Sequence, residues 1–354
     1  MAPTFDEARA AFPLLEEVAY LNAGTFGPLS RRTAEAMREA IDRDLQHGRS
    51  GSAYFKATLA LRQDVRSGLA ELVGATADTI ALTTSTTDGC NLILAGLGLD
   101  ARDEIVTTAD EHFGLLGALG VSAARVVVVE PDPDRILAAV TRRTRLIATS
   151  QVLWSTGAVL PVRELRERSG VPILVDGAQS AGAISVDVAG LDFFTISGQK
   201  WLCGPDATGA LVVADPERLR VTAPSYFSQV SYEPDGTFEQ RDGAARFEPG
   251  WWPPSSLRGL LAALDERPEW AFSRAAETAE RLRERLQGLV DVVTPAERST
   301  LVSFRPDGVE PAALVDRLQA QGVVVRDVPG RGLVRASVGW WTNDDDLDRL
   351  VAGL

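Results

Sequence analysis

The sequence ILVDGAQ at residues 173–179 joins a short apolar run to an acidic residue and a glycine-containing turn. Apolar residues without alternation are typical of a strand that is covered on both faces, as in a parallel sheet. In an open α/β sheet, ligands bind beyond the carboxyl ends of the strands. Three interpretations of Asp176 are therefore open: it caps the next helix, it pairs with an arginine, or it faces a ligand cation.

Six further apolar runs surround this stretch, and helical patterns separate most of them, for example at residues 91–97, 115–119 and 135–140. The runs lie at residues 79–83, 104–107, 125–129, 146–150, 193–197 and 210–213. Alternation of buried strands with helices predicts an α/β fold with a mainly parallel, seven-stranded sheet that helices cover.

The pattern changes near residue 257 and then predicts a smaller α+β domain. We expect an N-terminal arm that packs with the small domain at residues 1–20, a large domain at 21–256 and the small domain at 257–354. Residues 226–245 are rich in glycine, serine and aspartate and are predicted to form a surface loop. The other predicted elements are helices at 33–44, 57–73, 270–289, 311–321 and 344–354, and strands at 300–304 and near Val323 and Val334.

Composition excludes several classes of protein. The 354 residues are 45% apolar, so the chain can bury a large core. Its net charge of −13 argues against nucleic-acid and anionic-membrane partners, which would be repelled. Two cysteines and two histidines cannot build a disulfide framework or a zinc site of cysteines and histidines. No targeting peptide and no apolar run of membrane-spanning length is recognisable, so we expect a cytoplasmic protein.

Lysine is scarce, since only Lys56 and Lys200 occur among 36 basic residues. Lys200 directly follows the apolar run FFTISGQ at residues 193–199 and precedes a tryptophan. Desolvation disfavours an ammonium ion, so a lysine in such surroundings is expected to have a lowered pKa. A neutral amine is the form that condenses with an aldehyde.

Two more groups of polar residues lie at predicted strand ends. Ser85, Thr86 and Thr87 precede a helix and form either an ordinary N-cap or an anion site. His112 follows another strand, and structural and functional roles are both open. An anion site, an imidazole, Asp176 and Lys200 are together what pyridoxal 5′-phosphate (PLP) requires for its phosphate, ring face, ring nitrogen and aldehyde.

The sequence resembles the class V aminotransferase family of fold-type I PLP enzymes, from residues 20–27 to residues 334–337. The most specific stretches are VDGAQSAG at 175–182 and SGQKW at 197–201. Within the family, SQVLWSTG at 150–157, RFE at 246–248 and the pair Arg326 and Arg335 are similar to cysteine/cystine C–S lyases. The isopenicillin N epimerase-like branch is also similar.

This resemblance implies roles for individual residues and a homodimer with active sites near its interface. The implied catalytic residues are Lys200, which binds the cofactor aldehyde, Asp176, which pairs with the pyridine nitrogen, and His112, which stacks on the ring. Gln179 is implied to approach the ring oxygen, and the implied phosphate contacts are Ser85, Thr86, Thr87, Ser197 and Gln199. The partner is implied to be a small-molecule amino-acid substrate, whose α-carboxylate binds Arg335. A second carboxylate would bind Arg326, and the other implied substrate contacts are Asn22, Thr25 and Ser155. Without the resemblance, solvated charges of the C-terminal domain would be the preferred interpretation of both arginines.

Three departures from the family pattern matter. Gln199 replaces a histidine that many relatives carry before the lysine. Gly250-Trp251-Trp252 replaces a Gly-Thr whose hydroxyl reaches the partner's phosphate. No cysteine lies between residues 321 and 335, where persulfide-forming desulfurases carry their nucleophile, so a persulfide relay is disfavoured. Cys90 and Cys203 are expected to be small buried side chains.

The predicted activity is β-elimination on a cysteine-derived amino acid, with C–S cleavage that yields an α-keto acid and ammonia. Epimerisation and transamination remain open, because the sequence does not report which bond at Cα is activated or where the proton returns. A PLP-binding scaffold without turnover is a further alternative.

Overall fold

The computed structural model describes residues 3–354, and its centre is the predicted seven-stranded sheet, in the order β2-β8-β7-β6-β5-β3-β4. Strand β8 is antiparallel to both neighbours, and all other neighbours are parallel. The strands are β2 (Ile80–Thr83), β3 (Glu104–Thr108), β4 (Arg125–Val129), β5 (Thr144–Ser150), β6 (Ile173–Asp176), β7 (Phe193–Ser197) and β8 (Gly209–Val213), after a short β1 (Ala19–Tyr20). The mainly parallel α/β sheet is confirmed.

Helices cover this sheet on both faces, as buried strands require. All residues of β6 are buried, which explains its unbroken apolar run. The helices up to this sheet's last strand are α1 (Phe5–Ala10), α2 (Arg31–His47), α3 (Gly51–Val73), α4 (Thr86–Gly96), α5 (Phe113–Gly120), α6 (Pro133–Ala138) and α7 (Val162–Ser169). Single turns of 3₁₀ helix lie at Pro13–Glu16, Ala77–Thr79, Pro216–Arg218 and Gly243–Phe247.

The C-terminal part contains a four-stranded antiparallel sheet with the order β11-β12-β15-β14. A separate core of aliphatic side chains, including Leu282 and Leu318, lies beneath it. The N-terminal segment joins this part, since β1 pairs with β13 and Arg9 forms an ion pair of 2.7 Å with Asp346. Its elements are α9 (Ala271–Leu286), β11 (Asp291–Val292), β12 (Leu301–Arg305), α10 (Pro311–Ala320), β13 (Val323–Val324), β14 (Arg326–Val328), β15 (Leu333–Ser337) and α11 (Asp344–Ala352).

Two stretches differ from the expectations. The predicted surface loop at 226–245 contains an antiparallel hairpin of β9 (Gln229–Tyr232) and β10 (Phe238–Gln240), whose strands are short and mostly exposed. An additional helix, α8 (Pro254–Glu266), precedes α9 and packs against α2 and α3. Helix α8 spans residues 256 and 257, between which we expected the large domain to end. The division into domains stays a prediction.

Within residues 3–354, no helix combines the length and the apolar character that crossing a bilayer requires.

Candidate functional site

Asp176 lies at the carboxyl end of β6, in register with Ser150 of β5 and Thr195 of β7. Its carboxylate is buried, accepts a hydrogen bond from the backbone N–H of Ala178 at 2.9 Å and contacts the Thr195 hydroxyl at 3.4 Å. The bond to Ala178 is the local turn that the glycine-containing sequence predicted. No cation pairs with Asp176 in the described part of the chain, so its charge remains available to a ligand.

Lys200 follows β7, and its side chain is partly buried. Burial lowers the pKa of this amine to about 8, Asp176 opposes the shift, and Arg335 and Arg326 reinforce it. The backbone around Lys200 is closely packed, because a Cβ on Gly27 would stand 2.1 Å from the Lys200 carbonyl oxygen. The chain thus holds a largely desolvated amine close to the carboxylate of Asp176.

The start of α4 forms a cradle of backbone N–H groups and hydroxyls. Ser85 caps the helix by accepting a hydrogen bond of 3.2 Å from the N–H of Asp88, and Thr86 and Thr87 occupy the first turn. Ser197 donates a hydrogen bond of 2.9 Å to Oε1 of Gln199, which leaves the Gln199 amide hydrogens free to donate. A helix N-terminus with these donors suits a phosphate group.

His112 caps α5, and its Nδ1 accepts a hydrogen bond of 3.1 Å from the N–H of Gly114. This bond assigns the proton of the neutral ring to Nε2. Desolvation, followed by the charge of Lys200, lowers the pKa of His112, so the ring is neutral near pH 7. The rings of Trp154 and His112 pack in a T-shaped arrangement with centroids 5.3 Å apart.

Arg326 and Arg335 lie directly opposite each other on β14 and β15. The guanidinium of Arg335 is buried and donates one hydrogen bond of 2.7 Å, from Nη1 to the carbonyl of Trp154. Its Nε and Nη2 have no partner in the described part of the chain. Burial, followed by the charge of Arg326, lowers the pKa of Arg335 to about 9. Two adjacent guanidinium groups with free donors indicate an anion-binding site.

Asn22 and Thr25 support Arg326 rather than standing alone. Nη1 of Arg326 donates to the Thr25 hydroxyl at 3.3 Å, and that hydroxyl donates to Oδ1 of Asn22 at 2.8 Å. This chain of hydrogen bonds helps to fix the position of the Arg326 guanidinium.

The polar side-chain atoms of Gln179 and Ser155 already form hydrogen bonds within the protein. The Gln179 amide donates to the carbonyl of Gly24 at 2.8 Å and accepts from the indole N–H of Trp201 at 3.0 Å. Both polar atoms of its side chain are therefore engaged. The Ser155 hydroxyl donates its hydrogen bond to Asp110, so its proton is already engaged within the protein.

Five of the predicted residues form one cluster, since the charges of Lys200, Asp176, Arg326 and Arg335 all act on His112. Sequence reasoning missed the Trp154 carbonyl and the buried acid Glu111. Glu111 accepts hydrogen bonds from the Thr108 hydroxyl at 2.6 Å, the Thr149 hydroxyl at 2.8 Å, and the Ser150 N–H and hydroxyl at 3.0 and 2.6 Å. The signal for Glu111 was present: two acidic residues follow an apolar strand directly before His112.

The structure shows where the two tryptophans and the two cysteines discussed above lie. Trp251 is half-exposed with its ring centroid 4.9 Å from that of Phe227, and Trp252 is buried beneath the guanidinium of Arg62. Cys90 and Cys203 are both buried, and burial raises the pKa of both thiols.

Comparison with known proteins places the chain among enzymes. The family model described as "Aminotransferase class-V" matches residues 20–350. An isopenicillin N epimerase of Streptomyces clavuligerus is 29% identical, over 99% of this chain and 97% of the relative. A cysteine desulfurase of Serratia proteamaculans is 28% identical, over 100% of this chain and 98% of the relative.

Two solved structures of the cystine C–S lyase C-DES are also similar, each at 27% identity. One carries glycine covalently linked to the PLP cofactor, with a TM-score of 0.91 over 97% of this chain and 98% of the other. The second contains the product cysteine persulfide, with a TM-score of 0.90 over 96% of this chain and 98% of the other. The predicted fold-type I architecture is therefore confirmed.

The groups present in the structure fit the chemistry of PLP. They include an amine of lowered pKa, a buried carboxylate that no cation neutralises in the described part of the chain, and a helix N-terminus surrounded by hydroxyls. These groups match the aldehyde, the pyridine nitrogen and the phosphate of the cofactor. The chain therefore belongs to the aminotransferase class-V family and is a PLP-dependent enzyme.

Proposed function

We propose that this enzyme cleaves the C–S bond of a cysteine-derived amino acid by β-elimination, with cystine as the favoured substrate. The products are an α-keto acid, ammonia and a sulfur leaving group. Similarity to cysteine desulfurases and to the cystine C–S lyase C-DES supports C–S cleavage as the class of reaction.

The observation that carries the proposal is the pair of facing guanidinium groups, Arg326 and Arg335. One carboxylate satisfies one guanidinium, whereas cystine brings two carboxylates on a long, flexible backbone. The turn that links β14 and β15 is only four residues long, 329–332, and contains no cysteine. The proposed elimination uses no nucleophilic thiol from the chain, which agrees with this absence.

In this proposal Arg335 binds the α-carboxylate, since its Nε and Nη2 offer two donors in one plane. Arg326, oriented by Thr25, binds the carboxylate at the far end of the substrate. Asn22 contributes by holding Thr25. The two contacts orient the substrate so that Cα approaches the amine of Lys200.

Lys200 acts as the general base that accepts the proton from Cα, for which a pKa near 8 is well matched to neutral pH. PLP, when bound, supplies an electron sink for the pair left on Cα. Departure of the sulfur with the Cβ–S bonding electrons completes the elimination, and hydrolysis of the remainder gives pyruvate and ammonia.

The other proposed roles concern cofactor binding. Asp176 faces the pyridine nitrogen, and the neutral ring of His112 stacks on the cofactor. The proposed phosphate contacts are Ser85, Thr86, Thr87, Ser197 and Gln199. Gln179 holds Gly24 and Trp201 in place, and any contact to the ring oxygen would share atoms that already have partners.

Amino-acid epimerisation is the second candidate, supported by similarity over nearly the whole chain to an isopenicillin N epimerase. It begins with the same removal of the Cα proton but returns a proton to the opposite face. Transamination instead delivers that proton to the cofactor. The fate of the proton distinguishes the three reactions.

The deciding experiment incubates holoenzyme with L-cystine in D2O and measures pyruvate, ammonia and deuterium at Cα. Stoichiometric pyruvate and ammonia are expected. Deuterium incorporation with inversion and without pyruvate would replace elimination by epimerisation. Conversion of cystine to its own α-keto acid, without ammonia and only with an added keto-acid acceptor, would indicate transamination.

We also propose a homodimer. Phe26 and Leu29 are each close to half-exposed and line, together with Gln199, a cavity beside the site, as expected of a surface that a second copy covers. Sedimentation equilibrium of the holoenzyme should give twice the chain mass of 37.9 kDa, and a monomer at micromolar concentration would contradict this.

A further inference from the structure

The turn between β14 and β15 presents Arg331 towards the large sheet. Gly330 and Gly332 have φ of +73° and +65°, a conformation that glycine adopts without strain. The N–H of Arg331 donates to the carbonyl of Val328 at 3.1 Å, which closes the turn. With Pro329 preceding these glycines, the turn is short and conformationally defined, so the side chain it carries has a fixed starting point.

Arg331 contacts the segment that leads to His112. Its Nη2 lies 3.0 Å from Oδ1 of Asp110 and donates to the carbonyl of Ala109 at 3.0 Å. Asp110 is buried, whereas the side chain of Arg331 is 45% exposed. A residue of the C-terminal sheet therefore neutralises a buried acid of the large domain.

Asp110 also binds the loop that contains Ser155. Its other oxygen accepts a hydrogen bond from the hydroxyl of Ser155. The carbonyl of Ser155 accepts from the Ser303 hydroxyl of β12 at 2.6 Å, so the loop is held from both sides. Replacing the Arg331 charge would leave Asp110 with one neutral partner.

The loop ends at two residues of the site. Trp154 precedes Ser155, its carbonyl accepts the single hydrogen bond that Arg335 makes to the described chain, and its indole packs in a T-shaped arrangement with His112. Any movement of Ser155 would displace the Trp154 carbonyl. Because Arg335 has no other partner there, its guanidinium would lose its orientation.

We propose that Arg331 is a positioning residue that acts through Asp110 and Ser155 on Trp154 and so fixes the orientation of Arg335 for carboxylate binding. This inference rests on the proposed function only in that Arg335 binds the substrate's α-carboxylate. It holds equally for elimination, epimerisation and transamination.

The contact also has a dependence on pH. Burial raises the pKa of Asp110, the Ser155 hydroxyl and Arg331 lower it, and the exposed Glu130 raises it. Removing the charge of Arg331 removes one of the two influences that lower the pKa of Asp110. On acidification, the Asp110 carboxylate is then protonated at a higher pH. A variant that lacks this charge should therefore show an acid limb moved to higher pH.

The test uses holoenzyme carrying Arg331→Gln, Arg331→Lys or Asp110→Asn. Arg305→Gln is the matched control, because Arg305 lies on the same sheet, near Gly332, and pairs outward with Asp291 at 3.5 Å. The readouts are the dissociation constant of L-alanine, from the change in the cofactor's visible band, its pH dependence, cofactor content and thermal stability. None of these requires that cystine be the substrate, so a failure of the proposed reaction stays distinguishable.

Arg331→Gln is expected to weaken alanine binding about tenfold, the effect of one lost orienting contact, and to move the acid limb upward. Cofactor content should match the control, and thermal stability should fall only slightly, because Arg331 is nearly half-exposed and Asp110 keeps the Ser155 hydroxyl as a partner. Arg331→Lys should restore the acid limb and part of the affinity. Combining Arg331→Gln with Asp110→Asn should add little, since both act on one contact. Affinity and acid limb equal to those of Arg305→Gln would overturn the proposal, as would a loss of affinity that only follows lost stability or cofactor.

Discussion

Arg326 and Arg335 face each other across β14 and β15, and no carboxylate in the described residues forms an ion pair with either. Like charges directly opposite each other on a sheet are destabilising. One of the two, Arg335, is also buried with two unpartnered nitrogens. The ligand-free protein therefore maintains an unfavourable arrangement that a bound dicarboxylate would relieve.

Replacing either arginine separates the two carboxylate contacts. Arg335→Gln should lower kcat/KM for every amino acid by roughly 10- to 100-fold, because a hydrogen bond to a charged group contributes about 1.5–3 kcal/mol. Arg326→Gln should lower it mainly for cystine and leave S-methylcysteine within about threefold. Arg305→Gln serves as the control, and an equal loss for both substrates in Arg326→Gln would contradict the assignment.

The same substitutions should stabilise the apoenzyme. Removing one of two facing cations relieves repulsion, so the free energy of unfolding should rise by roughly 1 kcal/mol in Arg335→Gln. Urea denaturation of the apoenzyme measures it. A marked decrease in stability would mean that Arg335 supports the fold rather than the ligand.

Lys200 and Lys56 offer a direct contrast, since they are the two lysines of the chain. Lys200→Ala should abolish turnover and the covalent capture of PLP by borohydride, whereas exposed Lys56→Ala should change neither. The neutral fraction of an amine with a pKa of about 8 rises roughly tenfold per pH unit below that value. Capture of PLP by apoenzyme should follow this profile and level off above it. Equal labelling of both lysines would undo the assignment.

Asp176 is expected to act on the reaction more than on the fold. Asp176→Asn keeps the shape of the side chain and the hydrogen bond from Ala178, but removes the charge next to the proposed pyridine nitrogen. We expect kcat to fall by about two to three orders of magnitude, as for other lost electrostatic contacts to reacting groups. Single-turnover kinetics measure this, and Thr195→Val is the milder comparison. Unchanged kcat would remove Asp176 from the catalytic residues.

The buried ion pair of Glu248 predicts a large effect on stability. Glu248 accepts hydrogen bonds from Arg62, from Nε of Arg66 at 2.9 Å and from the N–H of Leu82 at 3.1 Å. Glu248→Ala leaves buried charge uncompensated and should cost about 3–5 kcal/mol in unfolding free energy. Glu217→Ala, which removes an exposed partner of Arg246, should cost less than about 1 kcal/mol. Similar denaturation midpoints for both variants would contradict this account.

Much of the fold was accessible from the sequence because apolar runs mark buried strands. All seven strands of the large sheet lie where such runs occur. Asp176 is the last residue of β6, and Lys200 lies shortly after the end of β7. Helix α7 was missed, since only Val162 and Leu165 of its residues are buried and its apolar stripe is too thin to recognise. The β9–β10 hairpin was missed because its strands are only four and three residues long, although Val230 and Tyr232 alternate with polar residues and an Asp-Gly pair marks the turn.

The connections within the site were less accessible. The ion pair between Arg331 and Asp110 joins residues that are distant in the chain, and no local pattern reports it. The Trp154 carbonyl is a backbone group, so the residue type says nothing about its role. Sequence thus identified the side chains that carry chemistry, whereas the contacts that orient them depend on how the two parts of the chain pack.

The burial of Cys90 and Cys203 limits what can happen to the sulfur atom after cleavage. These are the only two thiols of the chain, and each is enclosed by packed side chains beneath the surface. In the proposed reaction, neither can receive sulfur and pass it to a docked acceptor protein. The sulfur product would leave by diffusion as a small molecule, so its destination would be set by whichever thiols or metal ions it meets in solution.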